Sequence, residues 1–238
     1  MKVSIVMAVF NAAPHLPECL ASMAEHAPDV PLIVKDGGST DDTLEVLAKS
    51  PKPVTTLISE PDQGIYDALN QAISRAESDF VYILGADDRL LPGWAKAVAK
   101  LEDRSTLYYA NVRRVSDGGV YDGPFDTAKM ARTNICQQAV FYPRALFDRK
   151  QFQVAYKLQA DWAFHMDCWD DPAVSFVHLP EAVCLYNDRE GSSGRGYDKT
   201  FNRDYPGLLR KHFSFPLFLR YGIPAFLAHH SRPLRGRP

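Results

Sequence analysis

The chain has 238 residues, 46% of them hydrophobic and 24% charged, and a formal net charge of −2 at pH 7. This composition fits a globular domain with a full core and excludes a disordered chain, a fibrous protein and a small disulfide scaffold. The four cysteines lie far apart without a C-x-x-C pair, so we expect neither a zinc knuckle nor a redox pair, and a reducing, cytoplasmic compartment.

In the first half, apolar runs alternate with helical patterns. The predicted strands cover residues 3–9, 32–34, 54–58 and 80–84, and the predicted helices cover residues 14–23, 40–47 and 64–76. Apolar runs of this length, rich in β-branched residues and separated by helices, indicate βαβ units and a parallel sheet covered on both faces. The run at 3–9 begins almost at Met1 and is followed by no cleavage site, so we interpret it as a buried strand and not as a signal peptide.

The pattern changes in the second half. Residues 107–112 and 120–121 flank Asp117-Gly118-Gly119, which is typical of an antiparallel hairpin. We therefore predict an α/β fold with a mixed, mainly parallel sheet and a small antiparallel hairpin. A single domain at residues 1–198, followed by a C-terminal helical extension at 199–238, is the simplest organisation.

Basic residues are concentrated in this C-terminal extension. From Arg203 onward there are seven Lys/Arg and one acid, Asp204. The segment 213–228 is apolar but interrupted by two prolines and an arginine, so it is too broken to span a bilayer. Its composition is that of a segment lying on anionic lipid, and a terminal helix packed on the core or a dimer contact fits it equally well.

Polar segments follow the second and fourth predicted strands, where open α/β sheets bind ligands. The first is Lys35-Asp36-Gly37-Gly38-Ser39-Thr40-Asp41-Asp42. Its glycines allow a tight turn, and Ser39 with Asp42 approximates a capping box for the next helix.

The second polar segment is Gly85-Ala86-Asp87-Asp88. Its two carboxylates either cap a helix or hold Mg²⁺ or Mn²⁺ together with substrate phosphates. Neither a G-x-G-x-x-G after the first strand nor a G-x-x-x-x-G-K-[ST] occurs in the sequence, which excludes the common dinucleotide and P-loop sites.

Four segments stand in a fixed order along the first part of the chain. They are residues 4–11 (SIVMAVFN), 35–41 (KDGGSTD), 60–70 (EPDQGIYDALN) and 85–88 (GADD). In order, spacing and context they resemble the family-two glycosyltransferases of GT-A fold. Residues 136–142 (CQQAVFY) and Ala160-Asp161-Trp162 are similar to the bacterial branch of that family that builds surface polysaccharides, and the resemblance weakens beyond Asp188.

The resemblance implies a GT-A (Rossmann-like) fold and an inverting enzyme. Such an enzyme moves a hexosyl or N-acetylhexosaminyl group from a nucleotide-sugar donor, expected to be a UDP-sugar, to a hydroxyl of a glycan or lipid-linked glycan. Residues 1–100 would then form the nucleotide-sugar-binding half and residues 101–198 the acceptor-binding half.

The resemblance also assigns residues to the donor. Phe10 would stack on the base, Asp36 would accept a hydrogen bond from the base, and the helix after Asp62 would hold the diphosphate or sugar at its N-terminus. The implied nucleotide-sugar-binding residues are Ala8, Phe10, Asn11, Asp36, Asp62, Gly64, Asn70 and Asp87. For Asp62, an ordinary N-cap is the alternative.

The metal and the catalytic base follow from two further matches. Asp87 matches the last acid of the D-x-D signature, whereas Gly85 stands in place of its first acid. The implied cofactor is Mn²⁺ or Mg²⁺, held by Asp87 and Asp88. Asp161 matches the general base, which removes the proton of the attacking acceptor hydroxyl; a cap of the following helix is the alternative.

Acceptor contacts are implied for Gln137, Gln138 and Trp162, because amides can bind sugar hydroxyls and an aromatic ring can line a cleft. For Trp162, core packing is the alternative. The glycine-rich segment 187–196 is similar to the family's loop that closes over the donor, bringing Arg189 or Arg195 to a phosphate; a surface loop is the alternative.

Two other functions remain open. A sugar-phosphate nucleotidyltransferase would have a Gly-rich loop with Lys or Arg after the first strand, where this chain has residues 8–13 (AVFNAA). A non-catalytic sugar-nucleotide-binding subunit would explain Gly85, whereas Asp87, Asp88 and Asp161 favour the enzyme. We expect no nucleic-acid partner. The possible further contacts are with the inner face of the cytoplasmic membrane, through the C-terminal segment, and with a second copy of the chain in a homodimer.

Overall fold

A mixed sheet of nine strands runs through the residues that the computed structural model describes, 1–189 and 197–231. The strands are β1 (Val3–Val9), β2 (Leu32–Asp36), β3 (Thr56–Ser59), β4 (Phe80–Ile83), β5 (Arg89–Leu90), β6 (Thr106–Arg114), β7 (Val120–Tyr121), β8 (Val140–Pro143) and β9 (Ser175–Tyr186). Their spatial order is β3-β2-β1-β4-β8-β6-β9-β5, and β7 pairs with β6.

The first four strands form the parallel part of the sheet, as the sequence predicts. β1 pairs in parallel with β2 and with β4, and β2 pairs with β3. Val9 of β1 lies opposite Asp36 of β2, so these two strands end together. Every residue of β2 and β4 is buried. Because successive side chains of a strand point to opposite faces, both faces of the sheet are covered.

The second half of the chain adds antiparallel pairs. β8 pairs antiparallel with β4 and β6, and the hairpin of β6 and β7 sets Val112 opposite Tyr121. β9 runs parallel to β6. The carboxyl ends of β1, β2, β4, β6 and β9 therefore lie along one edge of the sheet. The mixed sheet and its hairpin confirm the predicted fold class.

Helices connect and cover these strands. They are α1 (Leu16–His26), α2 (Thr43–Ala48), α3 (Ile65–Ile73), α4 (Gly93–Val98), α5 (Thr127–Arg132), α6 (Ala160–Trp169), α7 (Lys199–His212), α8 (Phe215–Leu217) and α9 (Ile223–Ser231). Shorter turns are 3₁₀ at Gln137–Ala139 and Arg144–Asp148 and π-helical at Phe218–Gly222. α3 packs against β1 and β2, and its buried residues Tyr66, Leu69 and Ile73 recur at the helical period.

The C-terminal helices pack onto the sheet domain through α6. α7 contacts α6, and the helical turns that follow contact α7. Trp162 of α6 stacks on Phe201 of α7 and packs at a tilt on Tyr205, with ring centroids 5.3 and 5.1 Å away. Within residues 1–189 and 197–231, no helix combines the length and the apolar character needed to cross a bilayer.

Candidate active site

A cleft of about 760 Å³ opens at the sheet edge where β1, β2, β4 and β9 end. Of the residues predicted to bind the nucleotide sugar, it is lined by Ala8, Phe10, Asn11, Asp62, Gly64 and Asp87. The sequence motifs did not assign several other lining residues, among them His15, Gly37, Ile65, Tyr186 and Asn187. Gly37, Ile65 and Asn187 belong to the segments 35–41, 60–70 and 187–196 named above but received no individual role, whereas His15 and Tyr186 reach the cleft because α1 begins and β9 ends beside it.

A second pocket of about 280 Å³ adjoins this cleft. Ile65, Gln138 and Tyr186 line both spaces. Asp161 and Gln137 line the second pocket but not the cleft. The fold therefore brings most of the residues predicted for the donor into one space, and Asp161 and both glutamines into an adjoining space or its border.

Asp36 ends β2 but does not line the cleft. Its side chain is fully buried, and its carboxylate accepts hydrogen bonds from the backbone N–H groups of Gly38 and Ser39 and from the hydroxyls of Ser39 and Ser59. Burial raises the pKa of Asp36, but these hydrogen bonds outweigh it and leave the pKa below the ordinary value. Both oxygens of this carboxylate are therefore engaged in shaping the turn, away from the lining of the cleft.

The turn after β2 is tied to the turn after β1. The backbone N–H of Asn11 donates to Ser39 Oγ at 2.8 Å, and Asn11 Oδ1 accepts from the backbone N–H of Thr40 at 2.9 Å. The predicted capping box is wrong, because Asp42 is the N-cap of α2 and Ser39 is occupied by Asp36 and Asn11. These bonds hold Phe10, which is 64% exposed, at the wall of the cleft.

A buried lysine stands behind Asp62. Lys35 is fully buried in β2, and its Nζ donates to the backbone carbonyls of Asp36 and Glu60 and lies 3.4 Å from Asp62 Oδ2. Asp62 Oδ1 accepts from the backbone N–H of Gly64 at 2.8 Å. Because the N-cap of α3 is Gly64, Asp62 is not the N-cap of that helix. The sequence feature that could have identified Lys35 is a charged residue directly after the apolar run 32–34.

Two carboxylates converge in front of Gly85. A Cβ on Gly85 would stand 2.5 Å from Asp88 Oδ2 and 3.1 Å from Asp87 Oδ1. Asp88 is 1% exposed; its Oδ1 accepts from the backbone N–H of Asn187 at 2.8 Å, and its Oδ2 has no hydrogen-bond partner among the described residues. Burial, with the charge of Asp87 adding to it, raises the pKa of Asp88 to about 7.

Asp161 lies in the first turn of α6 and is 7% exposed. Its Oδ1 accepts from the Tyr66 hydroxyl at 2.8 Å, and its Oδ2 accepts from Asn134 Nδ2 at 2.6 Å. Burial raises the pKa of Asp161, and the hydrogen bonds from Tyr66 and Asn134 limit the rise. The side chain is not the N-cap of α6, because Gln159 occupies that position.

The two glutamines differ in their surroundings. Gln137 Nε2 is buried without a hydrogen-bond partner in the described part of the chain. Gln138 Oε1 accepts from Cys136 Sγ at 3.2 Å, and the backbone carbonyl of Gln138 accepts from the Tyr82 hydroxyl. Gln138 stands between the two spaces, whereas Gln137 offers a free donor to the second pocket.

Besides Asp36, two predicted site residues lie outside both spaces. Asn70 bonds the backbone of Phe152 in both directions, with Nδ2 donating to its carbonyl at 2.8 Å and Oδ1 accepting from its N–H at 3.1 Å. Asn70 thus fixes the loop at Phe152 and does not line the cleft. Trp162 donates from Nε1 to the Met130 carbonyl at 3.0 Å while its ring packs on α7, which fits the core-packing alternative.

The loop after β9 is described only in part. Arg189 is exposed, and its Nη2 donates to the backbone carbonyl of Ser116 at 3.0 Å. It does not line the cleft. Arg195 and the glycines near it lie outside the described residues.

Comparison with known proteins gives consistent matches. A PGL/p-HBAD biosynthesis glycosyltransferase of Mycobacterium tuberculosis (strain H37Ra) is 35% identical over 213 residues, which cover 85% of this chain and 83% of that protein. The structure of S. aureus TarS 1–349 in complex with UDP-GlcNAc superposes with a TM-score of 0.72 at 20% identity, covering 97% of this chain and 72% of that one.

The mannosyltransferase PcManGT from Pyrobaculum calidifontis, in complex with GDP-Man and Mn²⁺, superposes with a TM-score of 0.64 at 19% identity, covering 100% of this chain and 76% of that one. At such identities the two structures support the fold, which is that of GT-A glycosyltransferases. The model of the family described as glycosyl transferase family 2 matches residues 4–168. The chain therefore belongs to glycosyltransferase family 2 and is a glycosyltransferase.

Proposed function

We propose that this enzyme transfers a sugar from a UDP-sugar to a hydroxyl of a glycan or lipid-linked glycan, in surface polysaccharide biosynthesis, with inversion at the anomeric carbon. The observation that carries the proposal is the connection of two spaces at Ile65, Gln138 and Tyr186. One holds Phe10, Asp62 and the acidic pair, and the other holds Asp161. An inverting displacement needs a donor site and a base on opposite sides of the reacting carbon.

The donor lies in the larger cleft. The exposed ring of Phe10 provides an apolar face for the base. Gly37 lets the nucleotide approach the backbone, since any side chain there would meet Asp62 Oδ2, 2.8 Å from the position of its Cβ. The role of Asp36 is to position these groups, through the turn that it holds. Asp62 and Gly64 border the end of the cleft where α3 begins.

The acidic pair fits a divalent cation. Asp88 Oδ2 is a buried carboxylate oxygen that lacks a partner among the described residues, and Asp87 Oδ1 lies near the same point in front of Gly85. No group of three or more His, Cys, Asp or Glu side chains suited to a metal occurs in the described ranges. Mn²⁺ or Mg²⁺ would therefore be held by Asp87, Asp88, substrate phosphates and water. When bound, the cation supplies positive charge for the departing diphosphate.

Asp161 acts as the general base. As the acceptor oxygen attacks, a carboxylate oxygen of Asp161 takes its proton, the bond from the anomeric carbon to the diphosphate breaks, and UDP leaves. The raised pKa of Asp161 strengthens it as a base. Gln137 Nε2 donates to an acceptor hydroxyl, which gives this buried group the partner that it lacks in the described chain.

The C-terminal extension contacts the membrane that carries the acceptor. The side chains of Phe215, Leu219, Ile223, Phe226 and Leu227 are all at least 40% exposed and recur at a helical spacing. From residue 205 to the end, the sequence has six Lys/Arg and no Asp/Glu. An apolar helix face with basic residues and no acids matches the surface of an anionic bilayer.

The test is a panel of UDP-sugars, with GDP-mannose for comparison, incubated with and without Mn²⁺ on membranes carrying lipid-linked glycans. We expect one UDP-sugar to release UDP and to give a product whose anomeric configuration, read by NMR, is opposite to that of the donor. Retention of configuration would overturn the assignment of Asp161 as a base acting on the acceptor. Donor binding without release or transfer would favour the non-catalytic binding subunit.

A further inference from the structure

A series of hydrogen bonds, fully buried at Tyr142 and His165 and partly buried at Asn134, ends on Asp161. Asn134 Nδ2 lies 2.6 Å from Asp161 Oδ2, Asn134 Oδ1 lies 2.7 Å from His165 Nδ1, and His165 Nε2 lies 2.7 Å from the Tyr142 hydroxyl. Resting on the proposed role of Asp161, we infer that Tyr142, His165 and Asn134 act as positioning residues that fix the orientation of the catalytic carboxylate.

Each bond in this chain has one permitted direction. An ionised Asp161 only accepts, so Asn134 must turn its NH₂ group towards it and its carbonyl towards His165. His165 Nδ1 must then carry the proton. In a neutral imidazole the other nitrogen is an acceptor, so the Tyr142 hydroxyl donates to Nε2.

The surroundings keep His165 neutral. Tyr142 and His165 are both fully buried, and their rings stack with centroids 5.7 Å apart. Burial lowers the pKa of His165 to about 3. The imidazole therefore holds one N–H throughout the physiological range, and its tautomer is set by Tyr142 on one side and Asn134 on the other.

These hydrogen bonds orient Asp161 because they prevent the side-chain amide of Asn134 from rotating. Without His165, Asn134 could rotate by 180° and present its carbonyl oxygen to the carboxylate, which would repel it. When His165 carries its proton on Nδ1, this rotation is unfavourable at both ends. The carbonyl oxygen of Asn134 would face the carboxylate of Asp161, and the NH₂ group of Asn134 would face the Nδ1–H of His165. Tyr66 engages the other oxygen from α3, so the carboxylate is held from two directions.

A direct test reads the tautomer, independently of catalysis. We expect ¹⁵N NMR of histidine-labelled protein to show a protonated Nδ1 and an unprotonated Nε2 for His165 between pH 5 and 8. A protonated Nε2, or an imidazolium in this range, would overturn the inference. If the Nδ1–H form is found while Asp161→Asn retains full transfer, the proposed function fails and the hydrogen-bond chain stands.

The kinetic test uses matched variants of His165. His165→Asn keeps an N–H donor close to the Nδ1 position, whereas His165→Leu has similar bulk and no donor. We expect His165→Leu to lower kcat by about tenfold, the effect of roughly one misplaced hydrogen bond, with little change in the KM for the donor. His165→Asn should restore most of kcat.

A structural control comes from Phe164, which neighbours His165 in α6 and packs on Tyr142 with centroids 5.9 Å apart. Phe164→Leu should lower thermal stability without moving the pH profile of kcat. If His165→Leu, like Phe164→Leu, lowers only thermal stability, the positioning role is excluded.

Should His165→Leu fail to fold, Tyr142→Phe serves instead, since it removes only the terminal donor. We expect Tyr142→Phe to lower kcat and to populate the Nε2–H tautomer of His165. An unchanged tautomer and an unchanged kcat would overturn the inference.

Discussion

At Gly85 the absence of a side chain makes room for the carboxylates beside it. The position of a Cβ lies 2.5 Å from Asp88 Oδ2, a distance at which two heavy atoms overlap. Asp88 therefore occupies the space that the first acid of a D-x-D signature would need. In the proposed metal site, Asp88 takes the place of that first acid.

Restoring the signature should accordingly harm the enzyme. We predict that Gly85→Asp and Gly85→Ala both lower Mn²⁺ affinity and activity by about tenfold or more, because a displaced ligand loses at least one charge-assisted contact. The measurement is Mn²⁺ titration by calorimetry together with initial rates. Gly207→Ala is the matched control, since a Cβ there meets no atom within 4 Å. A gain in Mn²⁺ affinity in Gly85→Asp would show that Gly85 marks a damaged metal site.

The protonation of Asp161 offers a second prediction at this scale. Tyr66→Phe removes a hydrogen bond that lowers the pKa of Asp161, so that pKa should rise further. Because the base works only when deprotonated, the acid limb of the kcat profile should move to higher pH than in the wild type. Burial raises the pKa of Tyr142 and of Cys136, so neither titrates in the acid limb. Asp88, with a pKa of about 7, is unchanged by the substitution, so the shift between the two proteins reports Asp161. An unmoved or lowered acid limb would contradict the assignment.

Among the elements, β2 lines no part of the cleft but supports the loops beside it, through two consecutive buried polar residues. Lys35 and Asp36 are both fully buried and hold the loops on either side of them. A second buried lysine, Lys52, donates to the backbone carbonyls of Ala27, Pro28 and Val30. The two lysines do similar structural work, but only Lys35 contacts a residue of the cleft.

This pair allows stability to be separated from donor binding. We predict that Lys35→Met and Lys52→Met each lower the free energy of unfolding by about 2–3 kcal/mol, because buried carbonyls lose their donors. Only Lys35→Met should weaken UDP-sugar binding, since it also releases Asp62. Urea unfolding and calorimetric titration measure the two effects. Equal donor affinity in both variants would show that Lys35 has no part in the cleft.

The parallel strands were predictable because apolar runs between helical patterns depend on local sequence. The start of α2 was not, because residues 39 and 40 are held by Asp36 and Asn11, whose bonds to them require the fold to be formed. Asn70 shows the same limit: it belongs to a recognisable motif, yet its partner is the backbone of Phe152. Sequence motifs identified the edge of the sheet, and tertiary contacts decided which of their residues face the cleft.

For the whole molecule, the C-terminal helices carry the surface that is proposed to contact the membrane. Their inner side packs on the domain through Leu217, Phe218 and Tyr221. Their outer side leaves large apolar side chains exposed. A helix that is apolar on both sides is normally covered on both, which is why an anionic membrane is proposed for the outer side.

Vesicle flotation tests this contact. We predict that replacing Phe215, Leu219 and Phe226 by Ser lowers binding to phosphatidylglycerol-containing vesicles by at least about tenfold, and that salt weakens wild-type binding. The control replaces Leu57, Val120 and Val177 by Ser, since these are also exposed apolar residues but lie elsewhere. Concentration-dependent dimerisation without vesicle binding would identify the surface as a contact between two copies of the chain.

The most direct test of the account compares two isosteric changes on α6. Asp161 lies in the second pocket, whereas Asp167 pairs with Lys150 away from both spaces. We predict that Asp161→Asn lowers sugar transfer by about 10²–10⁴-fold while UDP-sugar binding, measured by calorimetry, stays at the wild-type level, and that Asp167→Asn changes neither. Wild-type transfer by Asp161→Asn would contradict the account.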